Sequence, residues 1–372
     1  MPLPHVQSSP RGNPAPHPEA LHSPDILVQV RSGVGYITLN RPRALNTLNL
    51  TMVRTLHSVL IDWENNDAVK AVVVQGSGEK AFCAGGDVRI VHGYIAQNHP
   101  DYEVFFEEEY ALNEYIYHYP KLYIAALHGI VMGGGMGIAQ GADLRLVDEH
   151  TQMAMPENAI GLFPDVGASY FLTRHNKALA IYLGLVGKVL NGKDALFCRL
   201  ADWYLPHHRW PSFFSKLEAL ARCAEPLGAT WVHLLPALEA SKDGDDAPIS
   251  QHIRQINSIF SKPSLPEIFQ ALTEHEPDAW VQDTWQSLQK NSSLAMHATQ
   301  RLLTMGHDLG LSECFKLELE LVKLWKHKGE FTEGVRAALI DKDKSPQWKW
   351  SAQELTPARL ALELPLLFRS HT

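Results

Sequence analysis

Leu122-Tyr123-Ile124-Ala125-Ala126-Leu127 runs straight into His128-Gly129-Ile130-Val131-Met132-Gly133-Gly134-Gly135-Met136-Gly137. Six apolar residues in a row read as a short buried strand. The glycine cluster behind them reads as a tight loop opening into a helix. The same succession stands upstream. Val69–Val74 is an apolar, β-branched run, and Gly76–Asp87 follows as a glycine-rich loop. Strand, glycine loop and helix therefore recur between residues 69 and 142, and Leu144–Val147 adds a further strand. That order points to an α/β core with mainly parallel strands. In such sheets ligands gather where strands end and helices begin.

The rest of the chain extends this core in both directions. Ile26–Val30 and Val34–Leu39 read as a hairpin around Ser32-Gly33, and Asn40–Leu45, with Pro42, as a loop. Met52, Val53, Leu56, Val59, Leu60 and Trp63 recur at helical spacing, so Thr47–Trp63 reads as a helix. Asp101–Tyr119 reads as a second long helix, stopped before Pro120. Beyond about residue 205 the patterns are helical, as in Ile249–Phe260, Asp278–Gln289 and Ser312–His327. Lys242–Pro248 is polar and reads as a surface loop. The expected organisation is a proline-rich tail at 1–24, a core at 25–205 and a helical region at 206–372 packed on that core.

Composition narrows the class. The chain has 372 residues, 45% of them hydrophobic and 20% charged, which is normal for a globular protein. Its 33 basic and 41 acidic side chains leave a net charge of −8, which gives no diffuse attraction to nucleic acid or anionic lipid. Neither partner is expected. No segment has the ~20 uninterrupted apolar residues of a membrane span. Leu122–Ala142 comes nearest and is broken by His128, Gln140 and its glycines. Cys83, Cys198, Cys223 and Cys314 are scattered, so neither a disulfide framework nor a zinc site is expected. The first 24 residues hold seven of the 23 prolines and one arginine. They spell neither a secretory signal nor a mitochondrial transit helix, and a cytoplasmic location is the expectation.

Three segments can carry chemistry. Two are the glycine loops, Lys80–Arg89 and His128–Gly137. Glycine allows close backbone approach, and a strand–glycine–helix junction leaves free N–H groups. Two such junctions side by side can aim two donors at one oxygen atom. Close helix–strand packing would demand small residues equally. Neither loop contains a GxGxxG or GxxxxGK[ST] phosphate signature. The third segment is Met155-Pro156-Glu157-Asn158-Ala159-Ile160-Gly161-Leu162-Phe163-Pro164-Asp165-Val166-Gly167. Glu157 and Asp165 stand there in apolar surroundings, where a carboxyl is raised towards the range of a general base. Asp165 could equally cap a helix. Cys83 reads as a packed thiol and His128 as a hydrogen-bonded structural histidine. Glu107-Glu108-Glu109 reads as a solvated face from which one member could turn inward. HExxH, EF-hand and GxSxG motifs are absent.

The order of FCAGGD, HGxxMGGG and MPExxIGLFPDVG resembles the crotonase (enoyl-CoA hydratase/isomerase) superfamily, and within it the 3-hydroxyisobutyryl-CoA hydrolases. Asn40-Arg41-Pro42 with Ala44-Leu45-Asn46, and Glu333-Gly334-Val335-Arg336-Ala337-Ala338-Leu339-Ile340-Asp341-Lys342-Asp343, extend the likeness from about Ile26 to Trp348. The resemblance implies a crotonase-like spiral of repeated ββα units with a helical C-terminal extension. It implies that Gly86 and Gly134 donate to a thioester carbonyl oxygen. Glu157 is then the key carboxylate, Asp165 its helper, and Glu109, before Tyr110, a further substrate-side acid. It implies an acyl-CoA substrate, no cofactor and no metal, and the superfamily commonly forms homo-oligomers. Hydratases of this kind place a second catalytic glutamate where this chain has Gly137. A hydrolase is therefore expected, with an enoyl-CoA isomerase or hydratase, or a non-catalytic acyl-CoA-binding protein, as the alternatives. Ala168-Ser169-Tyr170 stand where relatives often have glycines, and are expected to reshape the acyl pocket.

Overall fold

The computed structural model describes residues 23–222, 241, 244 and 246–368. Most of the proline-rich tail, Cys223 and part of the 242–248 loop lie outside the described residues. Ser23 and Pro24, at the tail's end, are held to the hairpin. The Ile26 N–H donates to the Ser23 carbonyl, and the Asn40 side chain donates to that of Pro24.

Strands β1 (Ile26–Arg31) and β2 (Val34–Leu39) form the expected antiparallel hairpin. Its two-residue turn puts Ser32 at φ 52° and Gly33 at φ 84°, the left-handed pair that suits a twisted ribbon. Helix α1 (Leu50–Glu64) starts where the Asn49 side chain accepts from the Met52 N–H. Strand β3 (Ala71–Gly76) leads to β4 (Ala81–Cys83), followed by α2 (Val88–Ala96) and α3 (Asp101–Tyr117). Strand β5 (Leu122–Leu127) leads to β6 (Ile130–Met132) and α4 (Gly134–Gln140). Strand β7 (Leu144–Val147) leads to β8 (Gln152–Ala154), and β9 is Trp203–Tyr204.

Beyond the β1–β2 hairpin, odd- and even-numbered strands separate into two sheets. The larger sheet has the order β1-β2-β3-β5-β7-β9, parallel beyond the first pair. The smaller sheet has the order β4-β6-β8 and is wholly parallel. Each turn of the chain thus gives one strand to each sheet, the ββα spiral that the resemblance implied. Two strands of the smaller sheet, β4 and β6, hide inside stretches that read as glycine loops from sequence, and β8 falls in a stretch assigned to no element. Each is three residues long, too short to carry a period of two.

The central strands of the larger sheet are buried on both faces, which explains their unbroken apolar runs. Val72 and Val74 face the main core, which holds α1 and α3. Val73, Ile124 and Leu146 face a second layer, closed by Trp210, Phe213 and Leu217 of the Trp210–Ala221 helix. Among the described residues the chain beyond β9 is helical apart from a bridge at Ser241. The Leu311–Lys328 helix returns to α3, where the Tyr102 hydroxyl donates to the Val322 carbonyl at 3.0 Å. The main core runs through this region, taking in Phe315, Leu321, Val322 and Trp325. Among the described residues no helix is long and apolar enough to cross a membrane.

Candidate active site

The smaller sheet sets out the site. Its parallel register pairs Cys83 with Val131 and Val131 with Met153, so the segments leaving the three strands emerge on one edge. The segment after β4 carries Gly85 (φ 110°) and Gly86, and the segment after β6 carries Gly133 (φ 48°) and Gly134. The left-handed backbone at Gly85 and Gly133 turns each chain back on itself and requires glycine. The Gly86 nitrogen lies 3.3 Å from where a Cβ on Gly134 would stand. Among the described residues neither the Gly86 nor the Gly134 N–H donates to a protein group. Both line a cavity of about 560 Å³.

Three buried acids line the same cavity. Glu157 opens the short helical turn Glu157–Ile160 beyond β8 and is 6% exposed. Its Oε1 faces Gly133, 3.1 Å from where a Cβ there would lie, and its Oε2 has no partner. Glu109 projects from α3, 2% exposed, with its Oε1 unpartnered. A Cβ on Gly134 would collide with that oxygen. Asp165 is 4% exposed and accepts from the Tyr110 hydroxyl at 2.6 Å. Helix α3 therefore delivers both Glu109 and the residue that holds Asp165. The acidic run on α3 divides accordingly: Glu107 pairs with Lys323, Glu108 with Arg54, and Glu109 alone turns inward.

Burial sets the charge states. It pushes Glu157 and Glu109 well above the usual carboxylate range, and the charge of Asp165 raises both further. Burial also pushes Asp165 up to about 6, against the pull of the Tyr110 hydrogen bond. Asp165, whose charge raises the other two, is thus the acid that ionises first, and Glu157 keeps its proton well above the usual carboxylate range.

The mouth combines cations with an apolar rim. Arg41, Arg43 and Arg89 line it. Arg41 is tied to Asp87 at 2.9 Å, whereas Arg43 has no ion pair among the described residues. Phe331 and Leu339 close the other side. They flank Arg336, whose guanidinium pairs with Glu333, Asp341 and Asp343 at 2.6–2.7 Å. That hub folds the 333–343 segment over the cavity, and the Leu339 carbonyl accepts from Arg89. The motif is visible in the sequence, but the role of Arg336 within it is not.

The remaining residues singled out from sequence fall outside the cavity or against catalysis. Cys83 is fully buried and its thiol is pushed up to about 12, unfit as a nucleophile. His128 is a structural histidine, with Nδ1 2.5 Å from Asp148 Oδ2 and Nε2 3.2 Å from the Glu79 carbonyl. His128, Asp148 and His207 bring three ligand-type atoms within 4.8 Å of one another, the one such group among the described residues. That group does not line the cavity. Ala168, Ser169 and Tyr170 do not line it either, so the expectation that they reshape the acyl pocket is corrected. Their side chains turn away from it: Ser169 meets Glu318, and Tyr170 packs on Tyr117 and Arg174. Gly137 is enclosed. A Cβ there would stand 2.5 Å from Asn113 Nδ2 and 2.9 Å from Val166 Cβ.

Comparison with known proteins agrees with this geometry. Residues 34–361 match the enoyl-CoA hydratase/isomerase family. The mitochondrial 3-hydroxyisobutyryl-CoA hydrolase of Gallus gallus is 36% identical over 333 residues, 89% of this chain and 86% of the relative. The Homo sapiens mitochondrial 3-hydroxyisobutyryl-CoA hydrolase is 36% identical over 326 residues, 87% of this chain and 84% of the relative. Among solved structures, a carnitinyl-CoA dehydratase from Mycobacterium thermoresistibile superposes with a TM-score of 0.84 at 31% identity, covering 92% of this chain and 96% of that one. An enoyl-CoA hydratase from Rhodobacter sphaeroides 2.4.1 gives 0.79 at 32% identity, covering 93% and 100%.

Proposed function

We propose, from the premise that the chain belongs to the enoyl-CoA hydratase/isomerase family, that it hydrolyses 3-hydroxyisobutyryl-CoA to 3-hydroxyisobutyrate and CoA. The enclosed Gly137 carries the choice of reaction within the family. Hydration of a double bond commonly uses two acid/base groups, and the hydratase-type second glutamate has no space at 137. The acids that remain, Glu157 and Asp165, suit thioester cleavage, and the names of the chicken and human relatives support the substrate.

In this reading the thioester carbonyl oxygen lies between the Gly86 and Gly134 N–H groups. They stabilise the negative charge that develops on it, each worth about 2.7–4 kcal/mol in comparable sites. Glu157 either attacks the carbonyl carbon or takes a proton from an attacking water. Both routes break the C–S bond and release CoA, whose sulfur takes up a proton. In the first, water then cleaves a mixed anhydride on Glu157. Single turnover in labelled water separates them, because only the anhydride route leaves label in Glu157. Asp165 holds the substrate hydroxyl or passes a proton, and Glu109 faces the acyl group. Arg43 and Arg89 at the mouth meet the phosphates of CoA.

Free-thiol release from a panel of acyl-CoAs tests the proposal. Thiol is expected with short β-hydroxyacyl-CoA substrates, most with 3-hydroxyisobutyryl-CoA. Interconversion of enoyl-CoAs without thiol would replace the hydrolase with an isomerase or hydratase. Binding without turnover across a pH range would replace it with a carrier. A cytoplasmic location and a homo-oligomeric state are further proposals, the former set against relatives whose names include "mitochondrial". Fractionation of cells and light scattering on the full chain test them.

A further inference from the structure

Glu318 stands on the Leu311–Lys328 helix and is completely buried. Both of its oxygens are used. Its Oε2 accepts from the Gly167 N–H at 2.6 Å. Its Oε1 accepts from the Ser169 N–H at 2.9 Å and the Ser169 hydroxyl at 2.5 Å. These donors belong to the turn directly after Asp165.

That turn needs holding. Val166 has φ 55°, a left-handed conformation that a β-branched residue rarely adopts, and Gly167 has φ 90°. A Cβ on Gly167 would meet the Phe315 ring at 2.9 Å, on the same helix as Glu318 and one turn before it. The helix thus presses on the turn with an aromatic ring and draws in its amides with a carboxylate. On the opposite side Tyr110 grips the Asp165 carboxylate at 2.6 Å. Of these two supports, Tyr110 bonds the Asp165 carboxylate itself, whereas Glu318 bonds the backbone that follows it.

We infer that Glu318 is a positioning residue: it holds the Val166–Gly167 turn in its left-handed form and thereby sets where Asp165 stands relative to Glu157. The inference rests on the hydrolase reading for its effect on rate. It assigns the C-terminal helical region a part in the reaction, made through the backbone of residues 166–169. Burial raises the Glu318 carboxyl to about 8, and in either protonation state each of its oxygens offers a lone pair to one backbone N–H, Gly167 on one and Ser169 on the other. Glutamine has nearly the same shape but presents an NH2 to at least one donor. Glu318→Gln therefore removes part of the support without opening a cavity.

The test is a double-variant cycle with Asp165→Asn, Glu318→Gln and both together, read by thiol release. Glu318→Gln is expected to lower kcat about 10- to 100-fold, the scale of a small misplacement of a reacting group, with KM within about threefold. In the double variant the two losses should not multiply, because Glu318 acts through Asp165. Multiplying losses, or a Glu318→Gln enzyme with wild-type kcat, would overturn the inference. Ser169→Ala, which keeps both backbone donors, should lose less than Glu318→Gln, and an equal or greater loss would also count against it. Crystal structures of wild type and Glu318→Gln give a readout independent of activity. Asp165 and the φ of Val166 should shift in the variant, and an unmoved Asp165 would overturn the inference. If the wild type releases no thiol from any acyl-CoA, the hydrolase reading fails, while the crystallographic comparison still decides the role of Glu318.

Discussion

Two groups of polar side chains stand beyond the C-terminal ends of neighbouring parallel strands, one group for each sheet. Beyond β4, β6 and β8 come Gly86, Gly134 and Glu157. Beyond β5, β7 and β9 come His128, Asp148 and His207. Both places are where an α/β sheet offers a ligand site, and their chemistry is opposite. Asp148 is completely buried and satisfied. Its Oδ2 meets His128 at 2.5 Å and His207 at 3.0 Å, and its Oδ1 accepts from the His150 N–H at 2.9 Å. Glu157 and Glu109 are buried beside a cavity, each with an oxygen that has no partner. A buried polar atom without a partner costs about 1–3 kcal/mol. The fold carries that cost at one edge and removes it at the other. The unsatisfied edge is the one arranged for a substrate, and position in the topology alone would not have distinguished them.

Variants can break this contrast. The largest effect is expected from Glu157→Gln, a fall in kcat of about 10²–10⁴-fold, the usual contribution of a positioned acid/base group. Its melting temperature should stay within a few degrees of wild type or rise, because an unpartnered buried acid has been removed. Wild-type turnover in this variant would sink the assignment of Glu157.

A smaller loss is expected from Asp165→Asn, about 10²-fold in kcat, with a pH signature of its own. The Asp165 carboxyl is raised from 3.8 to about 6 in the fold, so the folded chain binds that proton more tightly than the unfolded chain does. Its contribution to stability is favourable at acid pH and is lost as pH rises through about 6. Asp165→Asn should therefore melt higher than wild type at pH 8 and lose that advantage by pH 4. In the wild type, kcat should fall on acidification through about pH 6 as Asp165 becomes neutral. Melting curves of the two proteins across this range check the sign, and a greater advantage at pH 4 would contradict it.

The smallest effect on rate is expected at the other edge. Asp148→Asn should leave kcat within about twofold and lower stability by about 1–3 kcal/mol, since it disrupts a satisfied buried network. Denaturant unfolding together with thiol release measures both. A folded Asp148→Asn protein as slow as Asp165→Asn would erase the distinction between the two edges.

Much of the fold and the site is legible in the amino-acid sequence. The hairpin, α1, α3 and the strands of the larger sheet follow from period and turn residues that are neighbours in the chain. Gly86, Gly134, Glu157, Asp165 and Glu109 stand out through their motifs, and all of them line one cavity. The smaller sheet is not legible, because three-residue strands carry no period. The choice among Glu107, Glu108 and Glu109 is not legible from spacing, since burial on α3 depends on what packs there. Glu318 escapes notice for the same reason: its partners lie about 150 residues away in sequence.

By itself the sequence determined the succession of strand, glycine loop and helix, and the residue types at each loop, because these depend on backbone preferences of adjacent residues. The tertiary structure decided which acids are paired. Asp148 finds two histidines, Asp165 finds a tyrosine, and Glu157 and Glu109 are each left with an oxygen facing the cavity. That outcome depends on contacts between distant segments, and it separates a satisfied polar cluster from a site able to act on a substrate.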